Sequence, residues 1–301
     1  MTEQSPFTDG QVQFAWDSTS LGWLKECPRK YYYSMIEGWR SKNESVHLQF
    51  GILYHSALEG YDRLRSAGEG HEIALRLIVQ RTLVESWPWP FDHNLKTRET
   101  LVRSVIWYLE NFLDDPTTTV QLADGSPAVE LSFRMDLPYS TDSGLGYLLC
   151  GHLDRVVSFN GLQFVMDRKT ASTTPSSSYF EKYDVDNQMS TYSIAARVLY
   201  NMPIKGVIID AAQVAVGFTR FVRGFTYRTP AQLDEWLSDL SFWIKQAEGF
   251  ALRGNWPMND KSCDKFGGCV FRKVCARDPG VRNAILESDF TREPWNPLAI
   301  R

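Results

Sequence analysis

The chain has 301 residues, 43% of them hydrophobic and 13% aromatic, with a formal net charge of −4. That is ample apolar material for a buried core, and no run approaches the roughly 20 apolar residues of a membrane span. The acidic balance excludes a whole-protein basic field, so any contact with a nucleic-acid backbone must rest on local patches. The candidate patches are Lys25, Arg29, Lys30, Arg40 and Lys42, then Lys96, Arg98 and Arg103, each of which also reads singly as a solvated charge.

The stretch Met1 to Gln13 is polar and acidic rather than a secretory signal, so a cytoplasmic location is expected. Ser18 or Ser20 can cap a helix running to about Glu37. Further helical patterns follow at 50–66, 71–86 and 97–114, and Trp87-Pro88-Trp89-Pro90 breaks the chain between the last two. Those tryptophans could stack on bases, but packing of the loop against the core is the plainer reading. Strands then dominate. Ala128 to Phe133 alternates, with Val129, Leu131 and Phe133 toward the core, and a hairpin follows at about 146–170. After a Ser/Thr/Pro loop at 172–178 comes a helix at about 184–200, then strands from Lys205 to Phe218 and from Phe221 to Tyr227. A strongly patterned helix over 230–252 precedes a cysteine-rich segment. No internal repeat or long linker divides the chain. Helices before and after a small mixed sheet predict a single α/β domain over 1–301, with a helical insertion at about 60–127.

The hairpin carries the most information. Asn160-Gly161 lies between two apolar runs and suits a type I′ turn, which needs positive φ at both central residues. A two-residue turn pairs Phe159 with Leu162 and, carried along the strands, Asp154 with Asp167. Their Cβ atoms would then be roughly 4.5–5.5 Å apart. Lys169 shares the face of Asp167, while Arg168 points away. Two opposed carboxylates destabilise a bare hairpin, whereas a hard divalent cation between them removes the repulsion and leaves positions open for water and phosphate. A D-x-K near a turn is ordinarily two surface charges. Here the flanks Tyr147 to Leu149 and Leu162 to Met166 are apolar enough to be buried, which favours a site for metal-assisted phosphodiester hydrolysis.

Other residues gain meaning only beside that hairpin. Glu130 can add a third carboxylate or simply be an exposed strand residue. His55, on an apolar helix, can complete a metal site or be a hydrogen-bonded core histidine. Gln188 and Tyr192, at i and i+4, share a helix face and can orient a phosphate or a water. Five cysteines in an intracellular chain argue against disulfides. Cys150 reads as a small buried hydrophobe. Cys27, Cys263, Cys269 and Cys275 suggest a thiolate site for a 4Fe-4S cluster, with zinc as runner-up, although the x5 spacings are longer than a CxxC knuckle.

Taken in order, Cys27-Pro28-Arg29-Lys30-Tyr31, Gly51 to His55, Glu130, Gly151-x-x-Asp154, Asp167-x-Lys169, Gln188-x3-Tyr192 and the three C-terminal cysteines resemble the RecB-like, iron–sulfur branch of the PD-(D/E)XK nuclease superfamily. That branch includes CRISPR-adaptation nucleases and stand-alone phage exonucleases. The resemblance implies a restriction-endonuclease-like fold, a mixed β-sheet core flanked by helices. It implies Mg²⁺ or Mn²⁺ held by Asp154, Asp167 and His55, with Lys169 acting on the water or the phosphate charge and Gln188 and Tyr192 in support. It also implies a cluster on the four cysteines that joins the N- and C-terminal regions. The function implied is a DNA nuclease, an exonuclease on single strands or duplex ends. A helicase, recombinase or single-strand-binding protein, or further copies of the chain, would be its partners, since no G-x4-G-K-[ST] motif is present. The alternatives are a non-catalytic DNA-binding accessory protein on the same scaffold and a redox iron–sulfur protein.

Overall fold

A computed structural model describes residues 5–8, 12–43, 45–265 and 268–299, so part of the Met1–Gln13 lead-in lies outside the described residues. In chain order the elements are β1 (Ala15–Trp16), α1 (Ser18–Glu26), α2 (Pro28–Tyr31), a π-turn at Tyr32–Ile36, β2 (Trp39–Ser41), α3 (Val46–Ser66), α4 (His71–Glu85) and α5 (Arg98–Asn111). There follow β3 (Thr118–Thr119), β4 (Val129–Ser140), β5 (Gly146–Phe159), β6 (Leu162–Ala171), α6 (Ser177–Glu181), α7 (Asn187–Leu199), β7 (Ile204–Val214) and β8 (Thr219–Thr226). The chain closes with α8 (Pro230–Leu252), α9 (Arg272–Cys275), α10 (Arg282–Asp289) and β9 (Phe290–Arg292). The described residues form two compact units. One comprises the chain up to Asn43, Phe133–Gly151 and the part from Thr229 on. The other comprises Glu44–Ser132 and His152–Arg228.

In the second unit a mixed sheet runs in the order β3, β5, β6, β7, β8. β5 and β6 form the expected hairpin. Asn160 and Gly161 have φ of +50° and +76°, as the turn requires, and the ladder runs from Phe159 opposite Leu162 to Arg155 opposite Met166, in the predicted register. β6 and β7 are parallel, joined by a crossover through α6 and α7, and β8 returns antiparallel to β7. Parallel pairing buries both faces, which is why Phe164 to Met166 and Val207 to Ile209 read as continuous apolar runs rather than alternating ones. α3, α4 and α5 lay Phe50, Leu53, Tyr54, Leu58, Ile78, Leu101 and Val105 against Ala212 and Val214. Gly60 lets α3 and α4 approach, since a Cβ there would stand 2.8 Å from the Ile78 Cδ1.

In the first unit β1 lies parallel to the start of β5, with Ala15 opposite Leu148, and β2 pairs antiparallel with β9. Tyr33, Trp39, Phe271, Val274, Leu286 and Phe290 form its aromatic core.

Three local expectations are corrected. The helix expected through Glu37 stops at Glu26, because Pro28 drives Cys27 into an extended conformation (φ −162°, ψ 111°) and restarts the helix at its own position. Its N-cap is Asp17, with Ser20 completing a capping box. Along β4 the expected alternation is broken at its start. Glu130 has φ +50°, a left-handed conformation disfavoured for a side chain with a Cβ, so Ala128 and Val129 are both buried and Leu131 is only half-buried. The segment 177–185 forms α6 and a 3₁₀ turn, and α7 begins only after its N-cap Asp186. Among the described residues no helix is long and apolar enough to cross a membrane.

Candidate active site

All of the residues singled out around the hairpin lie in the second unit. Asp154 on β5 takes a hydrogen bond at its Oδ2 from the backbone N–H of Arg168 at 3.1 Å, and the same oxygen is 3.3 Å from His55 Nδ1 on α3. Asp167 on β6 is buried, with 1% of its surface exposed. The Lys169 ammonium donates to Asp167 Oδ1 at 3.0 Å and to Gln188 Oε1 at 2.8 Å. Gln188 Nε2 in turn donates to the Tyr192 hydroxyl at 2.8 Å. Glu130, His55 and Asp154 line one cleft of about 520 Å³ with His47, Gly51 and Ile52. The left-handed turn of the backbone at Glu130 accompanies its position on that cleft.

The electrostatics separate the two acids. Burial raises the Asp154 pKa, but His55 and Lys169 outweigh it and hold the carboxyl below its ordinary value. Burial also raises that of Asp167, and the charge of Asp154 adds to it, so the net shift is upward despite Lys169. Burial alone would lower the Lys169 pKa. Asp167 and Asp154 instead keep it cationic, with its pKa above the ordinary lysine value. His55 is likewise pushed up by Asp154 against its own burial. The result is a pair of carboxylates beside an ammonium ion, with one acid easily ionised and the other made harder to ionise mainly by its burial.

Asp167 Oδ2 is buried and accepts no hydrogen bond, although the Lys169 ammonium is 2.9 Å away. A buried hard oxygen with spare coordination beside a second carboxylate fits a divalent cation by donor chemistry. Among the described residues, however, no group of three or more His, Cys, Asp and Glu side chains is arranged to hold a metal ion. The expected set of His55, Asp154 and Asp167 is brought near by pairs and not as a converged triad.

The cysteines lie in the first unit, and none is in a disulfide. Asn259 bridges two of them: its backbone N–H points at Cys27 Sγ at 3.4 Å, and its carbonyl is 3.8 Å from Cys263 Sγ. Cys269 donates its N–H to the Cys263 carbonyl at 2.9 Å. The Cys269 and Cys275 thiols are raised by burial and, further, by neighbouring cysteines including Cys27. Among the described residues the four expected cysteines, like the carboxylates, form no group of three or more side chains arranged to hold a metal ion. Cys150 is fully buried, as expected of a small hydrophobe.

Most of the candidate basic patch residues are engaged internally. Arg29 donates to the Trp256 carbonyl, Lys30 pairs with Glu26, Arg40 lies over Trp23 and Trp295, Arg98 bonds the Leu83 carbonyl, and Arg103 bonds those of Ala215 and Val216. Trp89 packs on Phe50 and Phe91, the plainer of its two readings, while Trp87 stays exposed. Sequence reasoning missed Asp62. Its carboxylate is 2.7 Å from the buried Arg168 guanidinium and 3.5 Å from that of Arg155. The only available signal was that Arg168 alternates away from Asp167 and Lys169 on a strand buried on both faces.

The chain belongs to the PD-(D/E)XK nuclease superfamily, whose family model matches residues 18–276. Nucleases of this superfamily generally use divalent metal ions. Among solved structures the chain is similar to one described as a putative exonuclease from Eubacterium rectale, with 12% identity, a TM-score of 0.48, and coverage of 83% of this chain and 86% of that one. It is also similar to SSO0001, with 11% identity, a TM-score of 0.32, and coverage of 67% of this chain and 95% of that one. Comparison with curated proteins gives no match.

Proposed function

We propose that the protein is a Mg²⁺- or Mn²⁺-dependent deoxyribonuclease, an exonuclease acting on single-stranded DNA or duplex ends in recombination, repair or phage DNA processing. The observation that carries this reading is the grouping of Asp154, Asp167 and Lys169 on one hairpin, with Lys169 bonded to both Asp167 and Gln188, in a chain of a nuclease superfamily. Asp154 and Asp167, with His55, would hold the cation, which when bound supplies Lewis acidity toward a phosphoryl oxygen. Lys169, kept cationic, sits where it can stabilise the extra negative charge of an in-line displacement at phosphorus. Gln188 fixes the Lys169 ammonium, and Tyr192 fixes Gln188. Cys27, Cys263, Cys269 and Cys275 would hold a 4Fe-4S cluster, or zinc, as a structural staple of the first unit.

A second reading, a non-catalytic DNA-binding accessory protein, is favoured by one observation: the described residues hold no converged three-ligand metal group. Single-stranded DNA labelled separately at its 5′ and 3′ ends decides between them. Anaerobically purified protein is incubated with Mg²⁺, Mn²⁺ or EDTA beside the Asp154→Ala variant. Metal-dependent shortening that the variant lacks supports the nuclease, and the product ladder gives its polarity. Binding without cleavage under all three conditions supports the accessory protein.

A further inference from the structure

The cleft that reaches Asp154 and His55 extends to His47 and Leu48 in the first turn of α3. Beside it three basic side chains meet, of which His47 lines the cleft. His93 accepts hydrogen bonds at Nδ1 from the N–H groups of Leu95 (3.0 Å) and Lys96 (2.9 Å), so its neutral ring carries the proton on Nε2 and is a donor. Its ring meets that of His47 edge-on with centroids 5.0 Å apart. Lys96 is 2% exposed, and its ammonium lies 4.0 Å from the centroid of Phe50, one turn along α3 from His47. Among the described residues that ammonium has neither a hydrogen-bond acceptor nor an ion-pair partner. A lysine buried without an anion is costly, and here it adjoins two histidines and the positive end of a 21-residue helix. The His47 imidazole is held below its ordinary pKa by burial, then by His93 and Lys96. Beside this basic cluster, Leu48 and Ile52 stand 65% and 52% exposed at i and i+4 on the same cleft, an apolar face turned to water where α3 leads toward His55.

We propose that the N-terminal half of α3, with His93 and Lys96, is a strand-holding subsite for single-stranded nucleic acid. His47 and His93 take a backbone phosphate, the buried Lys96 ammonium adds positive charge behind them, and Leu48 and Ile52 take the faces of unpaired bases. The subsite rests on the nuclease reading above and specifies which substrate form its cleft accepts. A phosphate at the two imidazoles brings negative charge close to the buried Lys96 ammonium, near a helix N-terminus suited to it. Unpaired bases have apolar faces to offer, whereas duplex bases bury theirs in the stack. His47 and His55 are eight residues apart, about 12 Å along the helix, so a strand held at one end of α3 reaches the carboxylates from a neighbouring nucleotide.

The test is fluorescence anisotropy with a labelled oligothymidylate and a duplex of equal length, in EDTA so that no strand is cut, across a salt series. Lys96→Met is expected to weaken single-strand binding about fivefold or more and to flatten the log–log salt slope by roughly 0.7, the share of one phosphate, while His47→Ala, which removes a neutral ring, is expected to weaken binding about fivefold with little change of slope. Leu48→Ser with Ile52→Ser is expected to weaken single-strand binding roughly tenfold and duplex binding by less than about twofold. Lys205→Met, on β7, serves as a surface-lysine control. His47 is exposed, so its variant carries the phosphate test even if the buried Lys96 substitution perturbs folding. Unchanged affinity and slope in both basic variants, or equal loss of duplex binding in the apolar one, overturns the subsite while leaving the nuclease reading intact. No strand binding by the unmodified protein at low salt overturns both.

Discussion

Arg168 lies 2.7 Å from Asp62 through its guanidinium, and its own backbone N–H donates to Asp154. One residue of β6 thus ties the carboxylate face of the hairpin to an ion pair on the other side of the strand. Arg168 is 3% exposed, and Asp62 is its ion-pair partner among the described residues. Replacing Asp62 by Ala should therefore leave a buried guanidinium uncompensated and destabilise the protein by about 3–5 kcal/mol. Urea unfolding of the two proteins checks this. A loss under about 1 kcal/mol would mean that Asp210 neutralises Arg168 instead.

Asp154→Ala, Asp167→Ala and Lys169→Ala are each expected to lower metal-dependent cleavage by about a thousandfold or more, as expected for groups acting on developing charge. The measurement is a gel assay on labelled single strands, with circular dichroism to show that each variant is folded. Full activity in any folded variant would remove that residue from the site.

Gln188→Leu should cost roughly 10–100-fold in activity, the usual effect of removing a group that positions another. Gln188 is bonded to Lys169, while Tyr192 acts only through Gln188, so Tyr192→Phe should cost less than Gln188→Leu. The reverse order, read from the same assay, would place the tyrosine hydroxyl nearer the chemistry.

Stability should depend on pH through Lys96. Burial pulls its pKa from 10.5 down to about 8. Below about pH 8 the folded state carries the full cost of a buried charge. Between about 8 and 10.5 the folded lysine has lost its proton while the unfolded one keeps it, so this cost fades as pH rises. Lys96→Met should then stabilise the nucleic-acid-free protein by about 2–3 kcal/mol at pH 7, with the gain shrinking toward pH 10. Denaturation midpoints of both proteins at the two pH values test the sign. A gain that grows with pH would contradict it.

Gly206 on β7 has no room for a side chain: a Cβ would stand 2.6 Å from the Thr226 carbonyl oxygen on β8. The neighbour is backbone within a paired ladder, so Gly206→Ala should cost about 1–3 kcal/mol by overpacking. Thermal melts measure it. Gly51→Ala, where a Cβ meets nothing within 4 Å, is the contrast and should be close to neutral or slightly stabilising.

Much of this molecule was determined by local sequence. Asn160-Gly161 dictates the turn, and the turn dictates the register, because a two-residue loop leaves one pairing open. Thr229, Pro230 and Gln232 fix the start of α8 by capping. The period of two along β6 puts Asp167 and Lys169 on one face, and the ion pair between them follows. Other features were decided only in three dimensions. The left-handed backbone at Glu130 breaks an alternation that its neighbours predict, since a positive φ at a glutamate, unlike that at Asn160 in an Asn-Gly turn, has no sequence signature. Basic residues that look like a nucleic-acid patch, such as Arg29 and Arg103, are used up on distant backbone carbonyls. Lys96, equally anonymous in the chain, ends buried against Phe50 without an anion. Asp62 meets Arg168 across 106 positions. Turns, caps and strand faces depend on neighbours within a few residues. Which charge is left with a counter-ion, and which without, depends on long-range packing that no local pattern encodes.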